Sequence, residues 1–204
     1  MNTTLKWIVV RVDGKIAAIS TDYGMLADIS RRLACDGKAG ASGKGGARNQ
    51  VSYRNISAET VSFDEIWRLK KEITWDDLLL FGTEFQKKVW RRLYDLTHMD
   101  DASGKAARLI SYTDFAELCQ NRAGVRAVAH AIGLNPVSVI IPCHLAVPKE
   151  SIDRIREIQR RAESTIFKGE DLCLGSILAD TAIDFGEYAL GKELKRALIT
   201  LDLT

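Results

Sequence analysis

The sequence has 204 residues, with 29 lysines and arginines against 27 aspartates and glutamates, so its formal charge is only +2. With 46% apolar and 27% charged residues, it has the composition of an ordinary globular protein. The length allows one large or two small domains that bury a core without disulfides or a structural metal. The longest apolar stretches, such as 78–81 and 137–142, are far shorter than the roughly 20 residues of a membrane-spanning helix. A membrane span is therefore excluded.

The N-terminus and the cysteines indicate a cytoplasmic protein. Residues 1–7 lack a basic segment followed by an apolar run and a cleavage site, so we expect no export. The cysteines are far apart, without a Cys-x-x-Cys pair, and offer no zinc site. In a reducing compartment each thiol is either a small buried apolar group or a reactive one. The four cysteines are Cys35, Cys119, Cys143 and Cys173.

The first eighty residues predict a small α+β domain. Two β-rich runs within 5–20 are separated by Asp13-Gly14, which is a strong hairpin signal. Residues 36–46 are rich in Gly, Ala, Lys and Ser and indicate a loop. The other predicted elements are a helix at 24–34, an extended segment at 51–63 and a helix at 64–71. Since none of them carries a chemical motif, we expect domain 1–80 to be mainly structural.

Three further helices are predicted after Phe81, and capping signatures begin the first two. Thr83 is followed three residues later by Gln86, and Ser111 opens the second helix. The third helix follows a break at 121–124 and stops at Gly133. The apolar residues on one face of each helix are Phe85, Val89, Trp90 and Leu93; Phe115, Leu118 and Cys119; and Val125, Val128, Ala129 and Ile132. Two short helices joined by a tight turn predict a helix-turn-helix.

The outer face of this helix pair carries Arg122 and Arg126, which suit phosphates or a nucleic-acid groove. The alternative is a solvated basic face, which any helical hairpin can have. Residues 84–145 hold eight basic and six acidic residues, so overall charge does not decide between the two. Any DNA contact must be local.

The residues that carry chemistry follow a β-branched run. Val137–Ile141 predicts a buried strand that presents Pro142-Cys143-His144 at its end. A cysteine beside a hydrogen-bonded histidine loses its proton more easily, and the thiolate is a nucleophile. A Cys-His dipeptide alone is weak evidence, and a buried structural cysteine is the alternative.

Together these motifs resemble the O6-alkylguanine-DNA alkyltransferases, also called methylated-DNA–protein-cysteine methyltransferases. The segments that carry the resemblance are Phe81–Trp90, Ile110–Ala116, Val125–Val128, Asn135-Pro136 with Ile140–His144, and Gly186-Glu187-Tyr188 with Gly191 and Lys195. Asn-Pro followed by Pro-Cys-His at this spacing is the most specific. The resemblance implies an α+β fold, with a ribonuclease H-like domain at 1–80 and a winged-helix-like, three-helix DNA-binding domain at 81–204.

The resemblance also implies a reaction. Members of the family transfer an alkyl group from the O6 oxygen of guanine in duplex DNA to their own cysteine, here Cys143. The transfer is irreversible, so each molecule acts once, and it needs no cofactor. Because O6 is inaccessible in a stacked duplex, the base must be flipped into a pocket. We expect a monomer that acts on DNA in the cytoplasm, at the nucleoid.

The resemblance assigns a role to each catalytic residue. His144 takes the thiol proton from Cys143 through a water, and Asp202 orients this histidine. Tyr112 helps to rotate the nucleotide and donates a hydrogen bond to the flipped guanine. Asn135 braces the active-site turn. Without the family, Tyr112 is an ordinary aromatic at a helix start, Asn135 an ordinary C-cap, and Asp202 a frayed residue near the chain end.

The resemblance further implies DNA-binding and pocket residues. Arg126 enters the base stack in place of the flipped nucleotide. The remaining DNA contacts are expected from Arg122, Tyr112 and Ala127. The pocket is expected to be lined by Tyr188, Gly186 and Pro142.

Three features depart from the family pattern. Leu145 stands where the family usually has an arginine, so a positive charge beside the thiol is lost. Residues 149–184 form a longer connector than usual, with a charged helix at 152–164 that lies either beside the alkyl pocket or out on the surface. Asp202 replaces the usual glutamate, so its contact with His144 is expected to need a water or a helix shift.

Two other functions stay open at this point. Non-reactive alkyltransferase-like relatives bind alkylated DNA but lack the cysteine. The presence of Cys143 favours the transferase, while Leu145 keeps the binding-only alternative. A Cys-His thiol hydrolase would use the same cysteine but would leave the helix-turn-helix and Arg126 unexplained.

Overall fold

A computed structural model describes residues 5–21, 24, 27, 31, 55–98, 108–165 and 174–204. The chain folds as two units. The sheet unit comprises Asn2–Thr83 together with Pro136–Ile140, and the helical unit comprises Glu84–Asn135 and Ile141–Thr204. Helices are combined with small sheets, as the predicted α+β class requires. No helix in the described part of the chain is long and apolar enough to cross a bilayer.

The sheet unit is built on the predicted hairpin. Strands β1 (Trp7–Val12) and β2 (Lys15–Ser20) pair antiparallel. Asp13 and Gly14 both have positive φ, 49° and 84°, which a two-residue hairpin turn favours. Strand β3 (Ile56–Val61) pairs with the other edge of β1, giving the order β2-β1-β3. The central strand β1 is therefore buried on both faces.

Helix α1 (Phe63–Glu72) follows β3 and confirms the predicted helix at 64–71. Ser62 caps it by accepting a hydrogen bond from the Glu65 amide, while the Glu65 carboxylate accepts one from the Ser62 amide. Phe63 packs against Trp7 of β1, with ring centroids 5.9 Å apart. On the other face of β1, Ile8, Val10 and Val12 form a second apolar layer.

Some predicted elements of this unit lie outside the described residues. They are the loop at 36–46, the first part of the extended segment at 51–54, and most of the helix at 24–34, of which residues 24, 27 and 31 are helical. Cys35 and Cys173 also lie outside the described residues.

The helical unit contains the predicted helix pair. Helix α2 (Glu84–His98) packs on α4 (Val125–Gly133), where the Trp90 Nε1–H donates to the Ala131 carbonyl at 2.7 Å. Helix α3 (Tyr112–Leu118) precedes α4, and a 3₁₀ turn at Arg122–Gly124 joins them. Ser111 caps α3, as predicted, by accepting from the Asp114 amide at 3.0 Å. Two residues assigned to the apolar faces are exposed instead: Phe85 by 37% and Leu118 by 41%.

The rest of the helical unit is built around a second apolar cluster. Two short strands, β4 (Ile110–Ser111) and β5 (Ala146–Val147), pair parallel. Helices α5 (Lys149–Thr165), α6 (Leu174–Ala179) and α7 (Lys192–Leu203) follow β5. Helix α5 confirms the predicted charged helix. The buried members of the cluster are Val147, Ile155, Ile177, Leu178, Ile183, Phe185 and Ile199.

The predicted strand at 137–141 is wrong. Val137 makes only an isolated bridge with Ile19, and the Ile140 amide donates to the Ser138 carbonyl in a tight turn. Val139 has a φ of +73°, a left-handed conformation that β-branched residues rarely adopt and that no strand contains. The β-branched residues of this run are buried in the core, and their composition reflects that burial rather than a strand.

Candidate active site

Cys143 begins a short 3₁₀ turn, Cys143–Leu145, in the helical unit. The Cys143 amide donates to the Ile141 carbonyl at 2.8 Å, and the Leu145 amide donates to the Pro142 carbonyl at 3.0 Å. These bonds fix the backbone on both sides of the thiol. Cys143 is 7% exposed, so its sulfur is nearly enclosed.

Asn135 holds this turn through both protons of its amide. Its Nδ2 donates to the Ile141 carbonyl at 2.9 Å and to Cys143 Sγ at 3.1 Å. Both contacts require the nitrogen at this position, so the orientation of the amide is settled by its partners. One side chain therefore couples the shape of the turn to the position of the sulfur.

His144 and Asp202 form a buried pair. Nε2 of His144 lies 2.6 Å from Oδ2 of Asp202, and the aspartate side chain is only 6% exposed. Because an ionised carboxylate only accepts, Nε2 carries a proton, and a neutral ring keeps Nδ1 as its basic atom. The contact is direct, so the expectation of an intervening water is wrong. Asp202 is also not a frayed residue, since α7 continues to Leu203.

Lys195 is a site residue for which the sequence pattern predicted no role. It is 1% exposed, and its Nζ donates to the Ala146 carbonyl at 2.9 Å, the Glu187 carbonyl at 3.3 Å and Tyr112 Oη at 3.4 Å. Burial lowers its pKa from 10.5 to about 8. The signal was available: Lys195 and Asp202 are seven residues apart, two turns of one helix, so they face the same side.

Tyr112 is half-buried at the start of α3. Burial raises the pKa of its phenol, and the nearby Cys143 and Glu187 raise it further. The phenol therefore stays protonated over the physiological range and is available as a hydrogen-bond donor.

The thiol itself is subject to opposing effects. Burial raises the pKa of Cys143, while hydrogen bonds with Asn135 and Tyr188 and the charge of Lys195 lower it. Leu145, at the position where the resemblance expects an arginine, is fully buried and apolar. Within the described residues, the positive charge that lowers the pKa of Cys143 is that of Lys195.

Tyr188 lies beside the sulfur, and Gly186 lies beside Pro148 and Tyr112. The Cys143 thiol donates to Tyr188 Oη at 3.9 Å, and the Tyr188 ring meets the His144 ring edge-on. Gly186 has a φ of +78°, and a Cβ there would stand 3.1 Å from Pro148 and 3.9 Å from Tyr112 Oη. Pro142 is buried next to Cys143 in the chain.

The predicted DNA-contacting residues lie on the exposed side of the helix pair. Arg126 and Ala127 lie in the first turn of α4, where both are exposed. Arg122 is exposed in the connecting turn, where its Nε donates to Glu117 at 2.9 Å. Such side chains are accessible to a partner. Among the described residues, no three His, Cys, Asp or Glu side chains cluster in a way that would hold a metal ion.

Comparison with known proteins finds a family model that matches part of the chain. Residues 84–156 match the family model described as 6-O-methylguanine DNA methyltransferase, DNA binding domain. This range contains Asn135, Cys143 and His144 in their motif. The similarity to this family is confined to residues 84–156, about a third of the chain.

Several methylated-DNA–protein-cysteine methyltransferases are similar to this chain over a limited part of its length. The probable methylated-DNA–protein-cysteine methyltransferase of Acanthamoeba polyphaga mimivirus is 39% identical over 75 residues, which are 37% of this chain and 45% of that protein. The inducible enzyme of that name from Bacillus subtilis is 38% identical over 68 residues, 33% of this chain and 34% of that protein. The chain thus spans less than half the length of these relatives.

Solved structures of the family are also similar. The Mycobacterium tuberculosis OGT in complex with DNA is 25% identical, with a TM-score of 0.39, over 61% of this chain and 52% of that one. The O6-methylguanine-DNA methyltransferase of Pyrococcus kodakaraensis is 22% identical, with a TM-score of 0.49, over 98% and 92% of the two chains.

Weakening the hydrogen bonds to the sulfur should raise the pKa of Cys143. The Asn135 amide donates to the sulfur and so favours the thiolate, and Asn135→Ala should move the pKa of Cys143 upward. Tyr188→Phe, which removes only the longer bond, should have a smaller effect in the same direction. The measurement is the pH profile of iodoacetamide modification at the Cys143 peptide, followed by mass spectrometry. The Cys119 peptide serves as the internal control, and an unchanged Cys143 profile in both variants would contradict the assignment.

Lys195 should make stability depend on pH in a specific direction. Its folded pKa of about 8 lies below the ordinary 10.5, so the unfolded chain binds the proton more tightly. The cost of the buried charge is fully present below pH 8 and is relieved as the pH rises to 10.5. The free energy of unfolding should therefore rise by about 3 kcal/mol relative to Lys195→Met over this interval.

Urea denaturation at pH 7.5 and pH 10.5 measures this difference. Lys192→Met is the matched control on the same helix, because ion pairing raises the pKa of the exposed Lys192 and gives a change of opposite sign. If the free energies of unfolding of wild type and Lys195→Met differ by the same amount at both pH values, the pKa of Lys195 is not lowered by burial.

Proposed function

We propose that the protein transfers an alkyl group from the O6 oxygen of guanine in duplex DNA to Cys143. The observation that carries this proposal is the environment of the thiol. An enclosed sulfur is held by Asn135, stands in the same turn as His144 with its partner Asp202, and lies near Lys195. The family match over the same residues supports it, because its relatives are named for a cysteine that accepts a methyl group.

The first step is removal of the thiol proton. Nδ1 of His144 is the basic ring atom, because Nε2–H is engaged by Asp202. The proton passes from Cys143 through a water to Nδ1, and Asp202 stabilises the imidazolium that forms. Asn135 and Lys195 stabilise the thiolate, which offsets part of the cost of burial. The sulfur then becomes a nucleophile inside a nearly closed pocket.

The second step is displacement at carbon. Cys143 Sγ attacks the alkyl carbon attached to O6, an S–C bond forms, and the C–O6 bond breaks with its electron pair going to guanine. Tyr112 donates a hydrogen bond to the purine as this charge develops, and Lys195 supports the phenol with its own Nζ–H. The proton that His144 took from the thiol returns through water to the guanine, which stays in the DNA, so atoms and charge balance. Because a thioether is not readily cleaved, each molecule acts once.

The surrounding architecture fits this chemistry. In this proposal residues 1–80 form a ribonuclease H-like domain of structural use, and residues 81–204 a winged-helix-like domain that binds DNA as a monomer. Tyr188, Gly186 and Pro142 line the pocket for the flipped base. A protein that only binds alkylated DNA is the second candidate, because Leu145 leaves the thiol without the arginine typical of the reactive family.

Methyl transfer should be visible directly by mass spectrometry. After incubation with a duplex containing O6-methylguanine, the Cys143 peptide should carry one methyl group in stoichiometric amount. Cys143→Ser should abolish the transfer and keep DNA binding, and a duplex with unmodified guanine is the control. If Cys143→Ser still removed the methyl group, the assigned nucleophile would be wrong. No adduct on the wild type, with tighter binding to the alkylated duplex, would establish the binding-only function.

Arg126 should contribute to duplex binding and not to thiol chemistry. In the proposal its side chain fills the gap left by the flipped base, so Arg126→Ala should weaken binding to the alkylated duplex about tenfold. Reaction of Cys143 with iodoacetamide should stay unchanged. The matched control is Arg68→Ala, which removes an arginine of α1 in the sheet unit. Equal losses of affinity for both variants, measured by fluorescence anisotropy, would reduce Arg126 to a general charge effect.

A further inference from the structure

The segment that carries Gly186 and Tyr188 has no regular secondary structure. We call residues 184–188 the tyrosine loop; it lies between α6 and α7. Its local bonds include one from the Gly186 amide to Asp184 Oδ1 at 3.0 Å. Segments without helical or sheet bonds are among the least stable parts of a protein unless side chains from elsewhere hold them. The position of the loop must therefore come from outside it.

Arg196 of α7 holds the chain that leads into the tyrosine loop. Its guanidinium donates to three backbone carbonyls: Leu178 at 2.6 Å, Asp180 at 2.8 Å and Ile183 at 2.5 Å. A planar group with five N–H donors satisfies several acceptors at fixed angles, which an ammonium cannot do as well. The same guanidinium lies over the Phe185 ring, 4.8 Å from its centroid. One side chain thus fixes the segment at successive points.

Two further donors continue along the loop in chain order. The Ser151 hydroxyl of α5 donates to the Asp184 carbonyl at 2.5 Å, and Lys195 donates to the Glu187 carbonyl. Ile183 and Phe185 are buried in the apolar cluster between α5, α6 and α7. Side chains of α5 and α7 therefore donate hydrogen bonds to backbone carbonyls between residues 178 and 187, and these bonds hold the segment in place.

The active site needs this position to be accurate. Tyr188 Oη lies 3.9 Å from Cys143 Sγ, at the limit of a sulfur hydrogen bond, so a small shift of the loop breaks the contact. Gly186 already stands so close to Pro148 that even a Cβ would meet it at 3.1 Å. The loop has room neither to move inward nor to drift outward without changing the pocket.

We propose that Arg196 is a positioning residue, which together with Ser151 holds the tyrosine loop against the thiol and so sets the rate of alkyl transfer. Helices α5 and α6 act as a support for the pocket. The effect on rate rests on the proposed function of Cys143, whereas the effect on the loop does not. Arg196 acts through Gly186 and Tyr188 rather than on the sulfur or the substrate.

The test compares Arg196→Met and Ser151→Ala with wild type. Arg154→Met is the matched control, because it removes an exposed arginine of α5 that pairs with Glu157 on the same helix. Two quantities are measured: the single-turnover rate of methyl transfer from an O6-methylguanine duplex, and amide hydrogen exchange of residues 184–191 by mass spectrometry. Iodoacetamide reactivity of Cys143 and duplex affinity are measured alongside.

We expect Arg196→Met to slow methyl transfer at least tenfold and to speed exchange in 184–191. The iodoacetamide profile of Cys143 should shift in the same direction as in Tyr188→Phe, and affinity for an unmodified duplex should stay within twofold of wild type. Ser151→Ala should give the same pattern with a smaller amplitude, and it decides the matter if Arg196→Met fails to fold. The proposal would be overturned if both variants transferred the methyl group at the wild-type rate, or if amide hydrogen exchange of 184–191 in both variants were as slow as in wild type. If wild type transfers no methyl group, the proposed function fails, and the exchange measurement alone decides whether Arg196 holds the loop.

Discussion

The burial of the Cys143 thiol is the constraint on which the rest of the helical unit depends. Enclosure shields the sulfur from water but disfavours its thiolate form. The surrounding groups lower the pKa of Cys143 and so oppose the effect of burial: Asn135 and Tyr188 form hydrogen bonds with the sulfur, and Lys195 supplies a positive charge. Because each of these groups comes from a different segment of the chain, the site exists only when the helical unit is folded.

Helix α7 brings together most of what the thiol needs. Asp202 reaches His144, and Lys195 reaches Tyr112 and the carbonyl of Ala146. Arg196, on a neighbouring face, holds the segment that leads to Tyr188. Leu198 and Ile199 are fully buried between these polar groups and anchor the helix in the core. A single helix therefore sets the histidine, the phenol and the pocket wall relative to one another.

Local signals predicted the elements well where a residue has a strong intrinsic preference. Asp13-Gly14 forms the hairpin turn, Ser111 lies at a helix start, and the two helices of the predicted helix-turn-helix follow from their capping and glycine signals. The strand at 137–141 was wrong because β-branched composition reports burial as well as extended backbone. Val139 adopts a positive φ that only its tertiary surroundings enforce. The exposure of Phe85 and Leu118 was missed because periodicity assigns a face without showing how much of it is covered.

The sequence by itself determined the chemical groups and the match of residues 84–156 to a family model, because the order and spacing of Asn135, Cys143 and His144 are set by the chain. The seven-residue spacing of Lys195 and Asp202 was also present in the chain, but no helix was predicted there. Only the tertiary structure decided that Asp202 contacts His144 directly, that Lys195 is buried against Tyr112, and that Arg196 binds three carbonyls before the tyrosine loop. Hydrogen bonds between residues far apart in the chain depend on how helices pack, and a local pattern carries no information on that.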